Sequence, residues 1–100
     1  GLGDVYKRQT LYGAEAKYLS AQLMYNAGEY AAAEKEILNF IDQSTPHAYW
    51  LARSFILLSD VYVAMDKKLD ARQYLLSLQQ NYHADDDIER MIQERLEKLK

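Results

Sequence analysis

Two stretches of the chain carry the same residue pattern at a fixed offset of 38 residues. Residues 58–71 have the pattern of a helix end, a short turn and the start of a second helix, and residues 20–33 are a looser copy. A helix-turn-helix unit that recurs at a fixed period is typical of a helical repeat array. We therefore expect an all-α fold with two successive helical hairpins. The aligned pairs are Gly28 with Asp66, Ala33 with Ala71, Ala21 with Ser59, Leu23 with Val61, and Ile37 with Leu75.

Composition agrees with a helical protein and argues against several other classes. Four glycines and one proline are too few for a β protein with many turns. Acidic residues outnumber basic ones by 15 to 12 without a large basic cluster, so no nucleic-acid partner is expected. The chain has no cysteine, which excludes disulfides and leaves the compartment open. No apolar run approaches the ~20 residues that cross a bilayer, so we expect no membrane insertion.

The first nine residues differ in character from the rest of the chain. Residues 1–9 carry two glycines, a basic end and no helical stripe. They also resemble a translated sequencing-adapter remnant of the kind found at the ends of metagenomic gene fragments. We expect a non-native or disordered remnant here, with an ordinary frayed N-terminus as the alternative. The repeat domain is then expected over residues 10–100.

Apolar residues at three- and four-residue spacing predict four repeat helices. They are expected over residues 11–27, 30–42, 46–65 and 68–82. The third is apolar nearly all round, which predicts a central helix buried on several sides. In the first helix one apolar stripe is expected to face the core, and it consists of Ala16, Leu19, Ser20, Leu23, Met24 and Ala27.

Turn residues separate these helices. Gly28 ends the first helix, because glycine most easily adopts the left-handed backbone found at helix ends. Asp66 occupies the matching position, and aspartate tolerates that conformation less well. Thr45 is expected to be the N-cap of the third helix, with Pro46 at its first position.

Residues 85–100 are predicted to form an amphipathic capping helix. The last helix of a repeat array covers the core with its apolar face and exposes a polar face to solvent. The three aspartates at 85–87 suit a helix N-terminus. Glu94 and Lys98 are correctly ordered for an ion pair one turn apart. The inward stripe is Ile88, Met91, Ile92, Leu96 and Leu99.

At these positions the chain resembles the tetratricopeptide repeat family. The family's unit has a small residue in its first helix, then an aromatic, a turn glycine, a second aromatic and a small alanine. The resemblance implies a right-handed solenoid of two repeats, residues 14–45 and 46–83, closed by a capping helix at 85–100. The matching positions are Ala21, Met24, Gly28, Tyr30 and Ala33 in the first unit, and Leu58, Ser59, Tyr62, Asp66, Lys68 and Ala71 in the second.

Four features depart from the family pattern. Met24 and Lys68 replace aromatics, and Asp66 replaces the turn glycine. The period exceeds the family's usual 34 by about one helical turn. Long units of this kind are similar to those of the bacterial cell-envelope branch of the family.

The resemblance also implies a binding surface, because the first helix of each unit lines the concave face in this family. Tyr18, Gln22 and Tyr25 are spaced four and three apart and share one helix face. Exposed tyrosines beside amides suit a peptide or partner helix. In the alternative interpretation they pack against a neighbouring repeat. The implied groove residues are Tyr18, Gln22, Tyr25, Asn26, Arg53, Ile56 and Asp60.

No residue pattern indicates catalysis, a metal or a cofactor. His47 and His83 have no recognised metal-ligand spacing, and residues 85–87 lack the glycine and alternating ligands of a calcium loop. No nucleophile–base pattern is present. We therefore expect a non-catalytic protein–protein interaction scaffold. The alternatives are a purely structural end-cap segment of a longer array and a regulatory domain of a larger protein. The partner, the repeat number and the oligomeric state stay open.

Overall fold

The chain folds into five helices in the computed structural model, which confirms the all-α prediction. The structure describes the backbone of residues 2–43 and 46–100 and the side chains of residues 13–43 and 46–100, and these parts contain no strand. The helices are α1 (Leu2–Asn26), α2 (Tyr30–Asp42), α3 (Ala48–Ala64), α4 (Lys68–Asn81) and α5 (Ile88–Lys98).

Three helices begin at residues other than those predicted, and one of them is α5, which starts at Ile88 instead of residue 85. α1 starts at Leu2, so residues 2–9 belong to this helix rather than to a disordered segment. That they are non-native stays a prediction, and Gly1 lies outside the described residues. α3 starts at Ala48 with His47 as its N-cap. The predicted N-cap at Thr45 also lies outside the described residues.

The buried face of α1 is not the predicted one. Leu19 and Leu23 are 49% and 68% exposed, whereas Tyr18 and Ala21 are buried in the core. The helix carries two stripes with apolar character, and Ala14, Tyr18 and Ala21 line up at the four- and three-residue spacing of one face. The aromatic stripe faces α3 because its large ring buries more surface there than a leucine would.

α3 is the centre of the molecule, as its apolar circumference predicts, and it packs against each of the other four helices. Its buried residues belong to two core clusters, one shared with α1, α2 and Ala71 of α4, and one shared with α4 and α5. Burial of one large aliphatic side chain contributes about 1.5–3 kcal/mol. The fully buried aliphatic residues of α3 are Ile56, Leu57, Leu58 and Val61.

The turns α1–α2 and α3–α4 have the same backbone structure. Gly28 and Asp66 both have positive φ, at 79° and 61°. Each turn closes with the same amide–carbonyl bonds of a Schellman motif. The 38-residue repeat therefore extends to individual hydrogen bonds. The matching bonds are Gly28 N to Tyr25 O at 3.0 Å and Asp66 N to Val63 O at 3.1 Å, then Glu29 N to Met24 O at 2.9 Å and Lys67 N to Tyr62 O at 2.7 Å.

Small residues lie where the helices cross. Ala33 and Ala71 are both fully buried, as the repeat alignment predicts. Ser59 is buried as well, and its hydroxyl donates to the Ile56 carbonyl at 2.6 Å. A buried hydroxyl that is bonded to its own helix leaves no polar group unpaired at this contact.

The C-terminal helix buries Ile88 and Ile92 against α3 and α4. Asp86 Oδ1 accepts a hydrogen bond from the Ile88 amide at 3.0 Å, which caps the helix start. The predicted pair of Glu94 with Lys98 is replaced by a long contact of Glu94 with Arg90 at 3.9 Å. Both groups of that contact are well exposed, so it contributes little.

Candidate functional site

A cavity of about 510 Å³ opens between α3, α4 and α5, with the C-terminal part of α1 at its edge. Its wall combines apolar, hydroxyl and charged side chains. The lining residues are Tyr25, Ser59, Asp60, Val63, Lys68, Leu75, Glu94, Arg95, Lys98 and Leu99.

A bidentate ion pair joins α5 to α3 at this cavity. Arg95 Nε donates to Asp60 Oδ1 at 2.9 Å and Nη2 donates to Oδ2 at 3.0 Å. Both side chains are only about a quarter exposed, at 25% and 26%. A bidentate guanidinium–carboxylate contact is both strong and directional. The pair therefore fixes α5 against α3 and sets the shape of the cavity.

The rim of the cavity carries charge beside exposed apolar surface. Lys68 and Lys98 are exposed, and among the described side chains neither takes part in an ion pair. Val63 on α3 lines the same cavity, and it is 39% exposed. An apolar surface with a few polar groups around it is the usual composition of a ligand or peptide site.

Outside the cavity lining, Arg53 links α1 to α3. Its Nη2 donates to the Tyr18 hydroxyl at 2.8 Å and its Nη1 donates to the Tyr49 hydroxyl at 2.9 Å. The guanidinium carbon lies 4.9 Å from the Tyr18 ring centre, within the range of a cation–π contact. Burial acts to lower the pKa of Arg53, but the bonds to Tyr49 and Tyr18 outweigh it and the pKa is raised. Its Nε is buried without a hydrogen-bond partner among the described residues.

The hydrogen bonds continue from Arg53 in both directions. Tyr18 donates to Gln22 at 3.1 Å, and Gln22 donates to Asn26 at 3.0 Å along α1. In the other direction Tyr49 donates to Asp87 Oδ1 at 2.9 Å, just before α5. These bonds form one polar chain that connects α1, α3 and the residue just before α5.

The structure separates the seven predicted groove residues into three groups. Tyr25 and Asp60 line the cavity. The other two groups lie elsewhere. Gln22, Asn26 and Arg53 belong to the polar chain. The expectation that Tyr18 and Ile56 are exposed is wrong, since they are 5% and 1% exposed.

The burial of Tyr18 has a direct cause. Its ring lies 5.4 Å from that of Trp50 between centroids, and its hydroxyl is already bonded to Arg53 and Gln22. Aromatic pairs at this distance add to the stability of a core.

Sequence reasoning missed the contribution of α4 and α5 to the cavity. It assigned residues 85–100 to a cap with a solvated outer face and gave Arg95 no role. One signal was present, because Arg95 falls at helical spacing from Ile88 and Ile92 on the inward stripe. A charged residue in an apolar stripe requires a partner, and Asp60 is that partner.

The aspartates before α5 also bind tyrosines. Asp86 Oδ2 accepts from the Tyr82 hydroxyl at 2.5 Å. Burial and this bond raise the pKa of Tyr82 to about 12. In the described side chains, no three carboxylate or imidazole groups come together in a way that could hold a metal ion.

No family model matches this sequence, and no curated protein or solved structure matches it either. The fold and the site define a class, namely an all-α protein of five packed helices with a partly apolar, charge-rimmed cavity against its central helix. In the described part of the chain, none of the helices combines the length and the apolar character that a membrane span requires.

Proposed function

We propose that the chain is a non-catalytic interaction scaffold of the tetratricopeptide type, which binds a peptide or partner helix in a groove formed by the cavity between α3, α4 and α5 with the end of α1 beside it. In this proposal the two hairpins form a right-handed superhelix and α5 closes its end. The observation that carries the proposal is the cavity between α3, α4 and α5, with exposed Val63 beside cations that make no ion pair within the described residues.

The dimensions of the cavity limit what it can take. A volume of about 510 Å³ falls within the ~300–1,000 Å³ of ligand sites in general. It holds a few side chains rather than a whole helix. Val63 and Leu99 would receive apolar side chains of the partner, which supply most of the affinity at such sites. Lys68 and Lys98 at the rim would chiefly affect the rate of association.

The chemistry of the lining supports binding without catalysis. Burial, followed by the charge of Asp60, raises the pKa of Tyr25 and keeps the phenol protonated. The only lining carboxylate with a bidentate partner, Asp60, is held by Arg95. A general base or nucleophile requires the opposite arrangement, with a free group whose pKa is moved toward the working pH.

A peptide-display selection against the full chain tests this proposal. We expect enriched peptides to bind the chain and to lose binding to Val63→Glu, which places a charge in the apolar wall. Leu69→Glu is the matched control, because Leu69 is 81% exposed on α4 and lies outside the cavity lining. No enrichment, or peptides that are affected by Leu69→Glu and not by Val63→Glu, would contradict the proposal.

A further inference from the structure

The first hairpin has an exposed apolar face, whereas the equivalent face of the second hairpin is buried. Leu19 and Leu23 on α1 are 49% and 68% exposed. The residues 38 positions later are Leu57 and Val61 on α3, and they are 2% and 0% exposed. The same positions of the repeat are therefore solvent-exposed in one unit and buried in the other.

The structure shows what covers this face in the second hairpin. Leu57 and Val61 share one core cluster with Ala33 and Ile37 of α2, and α2 packs against α3. The second helix of the preceding hairpin is therefore part of this cover, and it contributes a small residue and a branched residue one turn apart. Such a pair lets two helices approach closely and interlock.

We propose that the face formed by Leu19 and Leu23 is the docking site of a further helical hairpin of the same design. Its second helix would pack on α1 as α2 packs on α3. The face lies on a different side of α1 from Tyr18 and Tyr25, so this interaction surface is separate from the proposed groove.

A second copy of this chain does not fit as the occupant. The stripe that would have to cover Leu19 and Leu23 is Ala33 with Ile37 in the first hairpin, and these residues are 0% and 1% exposed. Its counterpart on α4, Ala71 with Leu75, is equally buried. A copy of the chain therefore has no open stripe of this kind in its described residues, and this favours a further hairpin over a second copy as the occupant.

The test is an extended chain in which residues 10–47 are present twice in succession. At the junction, residue 47 of the first copy is followed by Thr10 of the second copy. Thr10 lies 38 positions before Ala48, the first residue of α3, so the loop that leads into α3 leads into the second copy of α1 in the same way. Thermal unfolding followed by circular dichroism should show one transition, at a higher midpoint than that of the original chain, because a repeat array gains one interface with each added unit.

Leu23→Gln distinguishes docking from mere addition of helix. In the original chain this change at an exposed position should move the midpoint by less than about 2 °C. In the extended chain, the same change is made in the second copy of α1, the copy followed directly by the original α2–α5. There Leu23→Gln should lower the midpoint by about 6 °C or more, because a buried leucine is lost. Leu57→Gln is the positive control and should lower the midpoint of both chains.

Two results would overturn this inference. One is an extended chain that unfolds in two steps or does not respond to Leu23→Gln, since the added hairpin then does not dock. The other is a dimer of the original chain that sedimentation detects and Leu23→Gln dissociates, since the occupant is then a second copy. Leu69→Glu, at a position 81% exposed on α4 and outside the cavity lining, is the neutral control and should move these midpoints by less than about 2 °C.

Discussion

Gly28 and Asp66 occupy the same position in two turns that are built alike, with φ of 79° and 61°. The glycine adopts this conformation without strain, whereas an aspartate Cβ lies too close to the following carbonyl oxygen. The second turn therefore retains a strained residue where the first has none, and this difference can be measured.

Asp66→Gly should raise the free energy of unfolding by about 0.5–1 kcal/mol, because the relief of about 1–2 kcal/mol of backbone strain exceeds the entropy gained by the unfolded chain. Urea titration measures the change. Gly28→Ala is the control and should cost about 1 kcal/mol. A Cβ there meets no atom within 4 Å, so that cost comes from the backbone alone. A less stable Asp66→Gly variant would refute the prediction.

Tyr18→Ala should act on stability rather than on binding. The ring is buried against Trp50, so its removal should cost about 3–5 kcal/mol, as for other large aromatics in cores. Tyr18→Phe keeps the ring and loses the bond from Arg53, which should cost about 1–2 kcal/mol. Urea titration distinguishes the two. Leu19→Ala, next along the chain and half exposed, should cost less than about 1 kcal/mol. Equal losses for Tyr18→Ala and Leu19→Ala would contradict the buried position.

Asp60 and Arg95 should show a measurable coupling energy in a double-mutant cycle with alanine. We expect about 1–2 kcal/mol, because the contact is bidentate and three-quarters shielded from water. The pair of Arg90 with Glu94 is the matched control, since it is long and well exposed. Its coupling should stay below about 0.5 kcal/mol. Similar values for the two pairs would show that the cavity pair has no special role in holding α5.

Tyr82 should make stability depend on pH in the alkaline range. Its pKa is raised from 10.0 to about 12 in the folded chain, by burial and by the bond to Asp86. The fold therefore favours the protonated phenol, and this contribution is fully present below pH 10 and is lost as the pH rises through about 12. Denaturation measured across this range should show a smaller decline for Tyr82→Phe. Asp86→Asn should reduce the decline in part. A decline that neither change affects would assign it to other tyrosines.

Local pattern was sufficient to predict the helices, the turns and the buried alanines. The offset that aligns Gly28 with Asp66 also aligns Ala33 with Ala71, and these features depend on residues close together in the chain. The orientation of α1 was not predictable in the same way. Leu19 and Leu23 make as good an apolar stripe as Tyr18 and Ala21, and only packing against α3 decides between them.

The cavity depends on contacts between residues far apart in sequence. Asp60 and Arg95 are separated by 35 residues and belong to different helices. Their encounter depends on how α5 lies across α3, which no periodicity within either helix specifies. Tyr25 and Asp60, which were predicted for a groove, line this cavity, and the side chains that α4 and α5 contribute were not predicted.

The central position of α3 has a consequence for how the molecule comes apart. A linear stack of units, each in contact only with its neighbours, can lose one end while the remainder stays intact. Here α3 contacts each of the other four helices, so its release removes a packing partner from all four at once. Spectroscopic probes placed at opposite ends of the molecule should therefore report the same transition, and a protease should find no intact half to leave behind.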